Sequence, residues 1–296
     1  MRILILGGNG MLGHKLVQKL SRGCHVYATV RREFDFSKAL HHWEPDGVIC
    51  GVTVENPRSV ESAIRDVRPD AVLNCIAIKR ARTQQEFDAC FAVNALFPAH
   101  LAAVCQKTKA RLIHISSDCV FSGSRGYYAE DDPCDTTDAY GRTKAAGEMH
   151  GPNCLTLRTS IVGREIRAPK TGVVEWLLSQ QGETIKGYSR AFFSGVTTCA
   201  LSEIVRRLLL EHRELSGLFH VAGNSISKLA LLEAVRDRFA LRIGIEPDNT
   251  VTYDRSLDGT ALERRTGLRP PSWPEMIDEL YTDFHCNQPV RHAQNC

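Results

Sequence analysis

No two cysteines stand in a CxxC arrangement, no His, Cys, Asp and Glu residues fall at metal-ligand spacing, and the 296 residues hold neither a repeat nor a low-complexity stretch. A metal-stapled module and a repeat architecture are therefore excluded, and no metal is expected. His41-His42 is a pair without a matching cluster and reads as a surface loop. Basic residues form no long run and the net charge is only +3. That argues against a nucleic-acid arm or a polybasic membrane patch, so neither nucleic acid nor a membrane is an expected partner. No apolar segment is expected to reach the roughly 18 residues of a membrane span. The N-terminal MRILILGGNGML is apolar, but glycines interrupt it and no small-residue cleavage site follows. It reads as a buried strand, not a signal peptide. The cysteines number eleven, with Cys50 and Cys75 inside apolar strands, and they form no framework. Buried thiols in a reducing cytoplasm are the expectation.

What the chain does hold is ordered punctuation. Residues 2–6 form a short apolar run, the glycines of GGNGMLG follow at 7–13, and helical spacing runs over 12–20. Strand, glycine turn and helix in that order suit a dinucleotide: Gly7 and Gly10 let the backbone approach a pyrophosphate, and the helix N-terminus offers it amide donors. The next strand, 25–30, ends in Arg31 and Arg32, where an NAD-binding chain usually carries a carboxylate. Two guanidiniums there suit a 2′-phosphate, so NADP(H) is preferred over NAD(H). A third strand is read at 46–54, a helix at 56–68 and a fourth strand at 71–78. The end of that fourth strand passes Cys75, Ile76 and Ala77 beside the dinucleotide, and Lys79, Arg80 and Arg82 follow in a loop where a cation could meet a substrate phosphate. Asn94 sits among apolar neighbours in a helix over 86–107 and needs partners, which backbone groups near the catalytic helix could supply. Strand five, 111–115, delivers Ser116, Ser117 and Asp118, and strand six runs over 154–161. Alternating strands and helices give a doubly wound parallel sheet.

The sharpest signal is YGRTK, Tyr140 to Lys144. Four residues apart on a helix, the two side chains share a face, and an ammonium near a phenol favours the phenolate. With a serine hydroxyl from a strand end, this trio fits reversible alcohol–ketone chemistry with a hydride cofactor.

GGNGMLG, HISSDCVFSG (114–123), YGRTKAAGE (140–148), LRTSIVG (157–163) and SLDGTALERRTGLRPPSW (256–273) occur together and in this order. In these motifs the chain resembles the extended short-chain dehydrogenase/reductases, and among them the dTDP-4-dehydrorhamnose reductase family. The resemblance implies a Rossmann domain over 1–162, to which parts of 196–222 return. A smaller, interwoven C-terminal α/β substrate lobe would cover 163–286, followed by a disordered tail, 287–296. It implies Ser117, Tyr140 and Lys144 as the catalytic residues. Gly7, Asn9, Gly10, Met11, Leu12, Arg31, Arg32, Cys75, Ile76, Ala77 and Asn94 would hold the cofactor together with Tyr140 and Lys144. Lys79, Ser117, Asp118, Arg190 and Thr197 would face a nucleotide-sugar substrate, while Trp176 suits core or sugar contact equally. The implied reaction is NADPH-dependent reduction of a nucleotide-linked 4-keto-6-deoxy sugar by a cytoplasmic protein, with a homodimer possible. Related dehydratases read TDEVYG where this chain has Ser117-Asp118-Cys119, so their glutamate is a cysteine here. Two alternatives stand beside the reductase. One is an epimerase or dehydratase that retains its cofactor; the other is a non-catalytic NADP-binding subunit, like the regulatory subunit of methionine adenosyltransferase.

Overall fold

The computed structural model of the chain describes residues 1–40, 44–79 and 83–286. His41, His42, Arg80, Arg82 and the tail over 287–296 lie outside the described residues. Seven strands form the main sheet: β1 (Arg2–Leu6), β2 (His25–Val30), β3 (Gly47–Cys50), β4 (Ala71–Asn74), β5 (Arg111–Ile115), β6 (Cys154–Arg158) and β10 (Gly217–His220). Their order is β10-β6-β5-β4-β1-β2-β3, and every pairing is parallel. The chain winds outward from β1 to β3, then restarts beside β1 at β4. The direction of winding thus reverses between β1 and β4, where open α/β sheets leave a crevice for a ligand.

β1 shows why the sheet is covered on both sides. Ile3 and Ile5 pack with Leu16, Val17 and Leu20 of α1 (Gly13–Leu20), while Leu4 and Leu6 pack with Val60 and Ile64 of α3 (Pro57–Val67) and Leu101 of α5 (Phe97–Thr108). Period-two alternation sends neighbouring residues to opposite faces, and both faces find apolar partners. β4 stops at Asn74, short of the expected 78, because the side chain interrupts the ladder. Its Oδ1 accepts from Ile76 N at 3.2 Å, and its Nδ2 donates to His114 Nδ1 at 3.1 Å. The expected sixth strand also divides. β6 ends at Arg158, and Ile161–Val162 forms β7, paired with β9 (Val196–Thr197).

The rest of the chain builds a three-stranded sheet, β11 (Ile226–Ser227), β8 (Thr184–Phe193) and β12 (Gly244–Arg255), with α9 (Lys228–Arg238) on β8 and α11 (Trp273–Cys286) against α9. Between β9 and β10 the helix α8 (Thr198–Leu210) lies on α1, so this segment crosses back to the large sheet.

Two expectations change. The continuous helical run Gln84–Thr108, made of α4 (Gln84–Phe91), a π-turn (Ala92–Leu96) and α5, reaches a mean hydropathy of 1.4 and is long enough to cross a membrane. In the fold its Phe97, Leu101 and Cys105 cover the large sheet, which explains the apolar composition. Cys50 is exposed, because β3 is an edge strand whose outward face carries Val48 and Cys50. Cys24, Cys50, Cys75, Cys90, Cys105, Cys119, Cys134, Cys154 and Cys199 are free thiols.

Three histidines are buried without charge. Burial lowers His14 to about 3 and His220 to about 4, and His114 also lies well below its ordinary value. His14 Nδ1 donates to Gly10 O at 2.8 Å, and His220 Nδ1 to Asp258 O at 3.1 Å. Depressed values mean that the unfolded chain binds these protons and the folded chain does not. Their stability is complete above about pH 6.5 and is lost as pH falls towards about 4. We expect the urea midpoint to fall between about pH 7 and pH 5, the unfolding free energy dropping by about 1.4 kcal/mol per pH unit for each proton taken up. A flat midpoint across that window would contradict the neutral assignment.

Candidate active site

The helix α6 (Ala139–Ala146), which carries Tyr140 and Lys144, starts at Asp138, whose carboxylate accepts from Gly141 N at 2.9 Å. Gly141 is what lets this helix reach the end of β5. A Cβ there would lie 2.0 Å from Cys119 O, so no other residue allows the approach. Ser117 caps the short 3₁₀ turn Asp118–Val120, accepting from Cys119 N at 3.1 Å, and its hydroxyl donates to Asp118 Oδ1 at 3.2 Å. Tyr140 stands in the first turn of α6, close enough to this turn that Ser117, Asp118 and Cys119 all act on its phenol. Burial is the main cause of the raised pKa of its phenol; Cys119 and Asp118 add to it and Ser117 opposes it.

This reverses one expectation. Lys144 does not bring the phenol to phenolate here, because burial raises the phenol more than a neighbouring ammonium lowers it. Lys144 is 1% exposed, and Nζ donates to Ile115 O at 2.7 Å. Burial lowers its own pKa to about 8, with the Glu148 carboxylate opposing the shift. The site therefore holds a protonated phenol above a serine hydroxyl, with the lysine fixed one turn behind.

Asn94 acts at one remove. Its amide brackets Ile78, accepting from the Ile78 N at 3.0 Å and donating to the Ile78 O at 2.8 Å, and it also donates to Thr143 Oγ1 at 3.1 Å. It ties the loop after β4 to α6. The partners are those that a buried asparagine requires.

The groove over the reversal point is lined by Gly7, Asn9, Gly10, Arg31, Cys75, Ile76 and Ala77, all expected, and by Thr29, Glu55, Ile78 and Arg167, which sequence reasoning missed. Gly7 has φ +77, and a Cβ on Gly13 would sit 2.1 Å from Gly7 O. The turn thus presents bare backbone to the groove, as a dinucleotide pyrophosphate needs. Arg32 is exposed and is not among the lining residues; Met11 meets Gly172, and Leu12 packs into the core. The residues present fit a dinucleotide.

Two substrate-side expectations are corrected. Thr197 is wholly buried as the N-cap of α8, its Oγ1 accepting from Ala200 N at 3.3 Å, and leaves nothing for a substrate to touch. Arg190 pairs with Thr252 and Phe193 pairs with Arg255, so alternation puts Arg190 and Arg255 on opposite faces of the small sheet. Arg255, not Arg190, reaches the catalytic turn: its Nη1 lies 3.4 Å from Cys119 Sγ. Lys79 is exposed and lies within electrostatic reach of Lys228, on the same side. Burial raises the Cys119 thiol to about 11, with Asp118 adding to the shift.

Comparison with known proteins agrees with this geometry. The chain is 31% identical over 286 residues to a dTDP-4-keto-6-deoxy-D-glucose reductase of Streptomyces niveus, covering 93% of this chain and 90% of that one. It is 25% identical to the methionine adenosyltransferase 2 subunit beta of Xenopus tropicalis, over 96% and 91% of the two chains. Its fold matches that of a dTDP-4-dehydrorhamnose reductase from Bacillus anthracis in complex with NADP, at a TM-score of 0.78 and 23% identity, covering 95% of this chain and 99% of that one. The RmlD substrate binding domain model matches residues 1–286, and the chain belongs to that family.

Proposed function

We propose that the chain reduces the C4 ketone of a nucleotide-linked 4-keto-6-deoxy sugar with NADPH, Tyr140 giving the proton and Ser117 orienting the oxygen. The observation that carries this reading is a buried phenol, kept protonated, at the Ser117 turn beside a glycine-floored groove. A reduction needs its acid in the proton-bearing form, and burial keeps it there. When bound, the cofactor supplies the hydride. As the phenol gives up its proton the nascent phenolate gains from Lys144, an ammonium one turn away. Cys119 supports reduction over elimination, because a thiol raised to about 11 is a poor base for a carbon acid. The Streptomyces niveus relative is named for a reaction of this kind.

The decisive test is stoichiometry with 4-keto-6-deoxy sugar nucleotides. One NADPH consumed per sugar, with a C4 alcohol as product, is expected. Turnover with only catalytic amounts of cofactor would point to an epimerase or dehydratase. No turnover, with cofactor bound, would point to a binding subunit such as the Xenopus relative.

The cofactor preference rests on Arg31, which lines the groove, more than on Arg32, which does not. Arg31→Ala is expected to weaken NADPH by about ten- to a hundredfold, the value of one charge-assisted contact of roughly 1.5–3 kcal/mol, with little change for NADH. Arg32→Ala should do much less. Fluorescence titration of both cofactors checks this, and equal losses for NADPH and NADH would remove the 2′-phosphate role.

A further inference from the structure

Between β7 and α7 (Val173–Leu178) the chain makes a strap, 163–172, that lies against the glycine turn and α1. Gly172 marks the contact: a Cβ there would sit 2.6 Å from Cε of Met11, the residue after Gly10. One carboxylate closes the strap on itself, Glu165 Oε2 accepting from Thr171 N at 2.5 Å and from Gly172 N at 2.6 Å. A second fastens it to α7. Glu175 Oε1 accepts from Glu165 N at 3.1 Å and from Arg164 Nε at 3.2 Å, and its Oε2 accepts from Lys170 Nζ at 3.0 Å. The strap is thus held at both ends.

Of its three cations, Arg164, Arg167 and Lys170, two are committed within the chain. Arg164 pairs with Glu175 and lies 4.1 Å from the centre of the Phe284 ring, and Lys170 pairs with the same carboxylate. Arg167, in the middle of the strap, is exposed, and its side chain has no hydrogen-bond or ion-pair partner among the described residues. It lines the groove together with Asn9 and Gly10 of the glycine turn.

The groove shows what that charge would meet. The turn offers a pyrophosphate bare backbone and the N-terminus of α1, equivalent to roughly half a positive charge. Each phosphate of a pyrophosphate carries a negative charge, which is more than one helix end balances. The charged side chains lining the groove are Arg31, Glu55 and Arg167. Arg31 stands at the end of β2, the ribose side in a sheet of this kind, and so suits a 2′-phosphate. Arg167 enters from a strap seated on Met11, at the pyrophosphate side. A guanidinium fork matches two phosphate oxygens at once. We infer that Arg167 is a cofactor clasp, which closes the groove over the pyrophosphate from the side opposite the glycine turn and serves NADPH and NADH alike. The strap continues into α7, whose Val174 and Leu177 share a core with Leu231 and Val235 of α9. The clasp therefore also fastens the C-terminal lobe to the bound cofactor. It rests on the dinucleotide reading of the groove and not on the identity of the sugar.

The test uses the full chain and measures binding rather than turnover. NADPH and NADH are titrated by fluorescence into wild type, Arg167→Met and Arg167→Lys. In Arg167→Met both cofactors are expected to weaken by the same factor, about tenfold or more, as for the loss of one charge-assisted contact. The thermal midpoint of the cofactor-free protein should stay where it is, because the side chain is exposed and unpaired. Arg167→Lys should recover part of the loss, since it keeps the charge without the fork. Hydrogen exchange gives a second readout: NADPH should slow the strap amides in wild type and not in Arg167→Met. A loss confined to NADPH would assign Arg167 to the 2′-phosphate and overturn the inference, as would unchanged affinity for both cofactors. A wild-type chain that binds neither cofactor overturns the clasp and the reductase together. Failure of the reductase reading alone looks different: no NADPH oxidation with keto sugars, together with Arg167-dependent binding of both cofactors, sinks that reading and leaves the clasp.

Discussion

Tyr140→Phe is expected to lower turnover by about 10²- to 10⁴-fold, the usual worth of a positioned proton donor, while NADPH binding stays nearly unchanged. The substitution keeps the ring and removes only the hydroxyl. The phenol sits at the junction of α6 and the turn Asp118–Val120, whereas the groove is floored by Gly7, Gly10 and Ile76, so the variant leaves the groove intact. The wild-type phenol, raised by burial, should hold its proton across the physiological range. Lys144, lowered to about 8, is the group that titrates first as pH rises, so the rate should decline on the alkaline side as the ammonium is lost. Lys144→Ala should differ from Tyr140→Phe by reducing cofactor binding as well as turnover. Single-turnover kinetics and cofactor titration separate the two variants. A Tyr140→Phe protein turning over at near-normal rates would mean that another group donates the proton.

Those residues could be read from sequence because each leaves a local mark. A glycine turn directly after an apolar strand, or tyrosine and lysine one helical turn apart, is short-range information; the structure sets Gly7 and Gly10 in the groove, Ser117 as the cap of a 3₁₀ turn and Tyr140 and Lys144 on one helix. Arg255 leaves no such mark. β12 reads GIEPDNTVTYDR, a strand without a fully buried residue, with Pro247 and Asn249 in it and a register break between Asp248 and Thr252. Neither alternation nor an apolar run announces it. The facing of Arg190 failed for a related reason: which side of β8 is buried depends on where α9 packs, and that contact is tertiary. Thr197 was legible in principle. A threonine immediately before a helical run is an N-cap signal, and the helix starts at Thr198, earlier than the expected 201. Asn94 shows the reverse, since burial alone called for partners and the structure supplies three hydrogen bonds.

The second large effect lies behind the catalytic residues, in a pair that sequence reading carried only as letters of two motifs. Glu148 of YGRTKAAGE and Arg158 of LRTSIVG form a two-pronged ion pair, Nε to Oε1 at 2.7 Å and Nη2 to Oε2 at 2.8 Å, with both side chains 5% exposed. Ser116 Oγ donates to the same carboxylate at 2.7 Å, while Arg158 also donates to Glu130 O at 3.2 Å and meets His220 at 3.3 Å. One network thus binds the residue before Ser117, the segment after the catalytic helix, and the ends of β6 and β10. Arg158→Met is expected to cost about 3–5 kcal/mol, because it leaves a buried carboxylate without its counter-ion. Glu148→Gln should cost a similar amount by stranding the guanidinium. The double variant Glu148→Gln/Arg158→Met should recover much of the loss, since no uncompensated charge remains. Activity should recover less than stability. Ser116 would lose its charged acceptor, and Lys144 the carboxylate that supports its ammonium. Urea unfolding of the two single variants and the double variant, with turnover measured in parallel, reads both effects. An Arg158→Met protein within about 1 kcal/mol of wild type would show that the pair contributes no more than an exposed one.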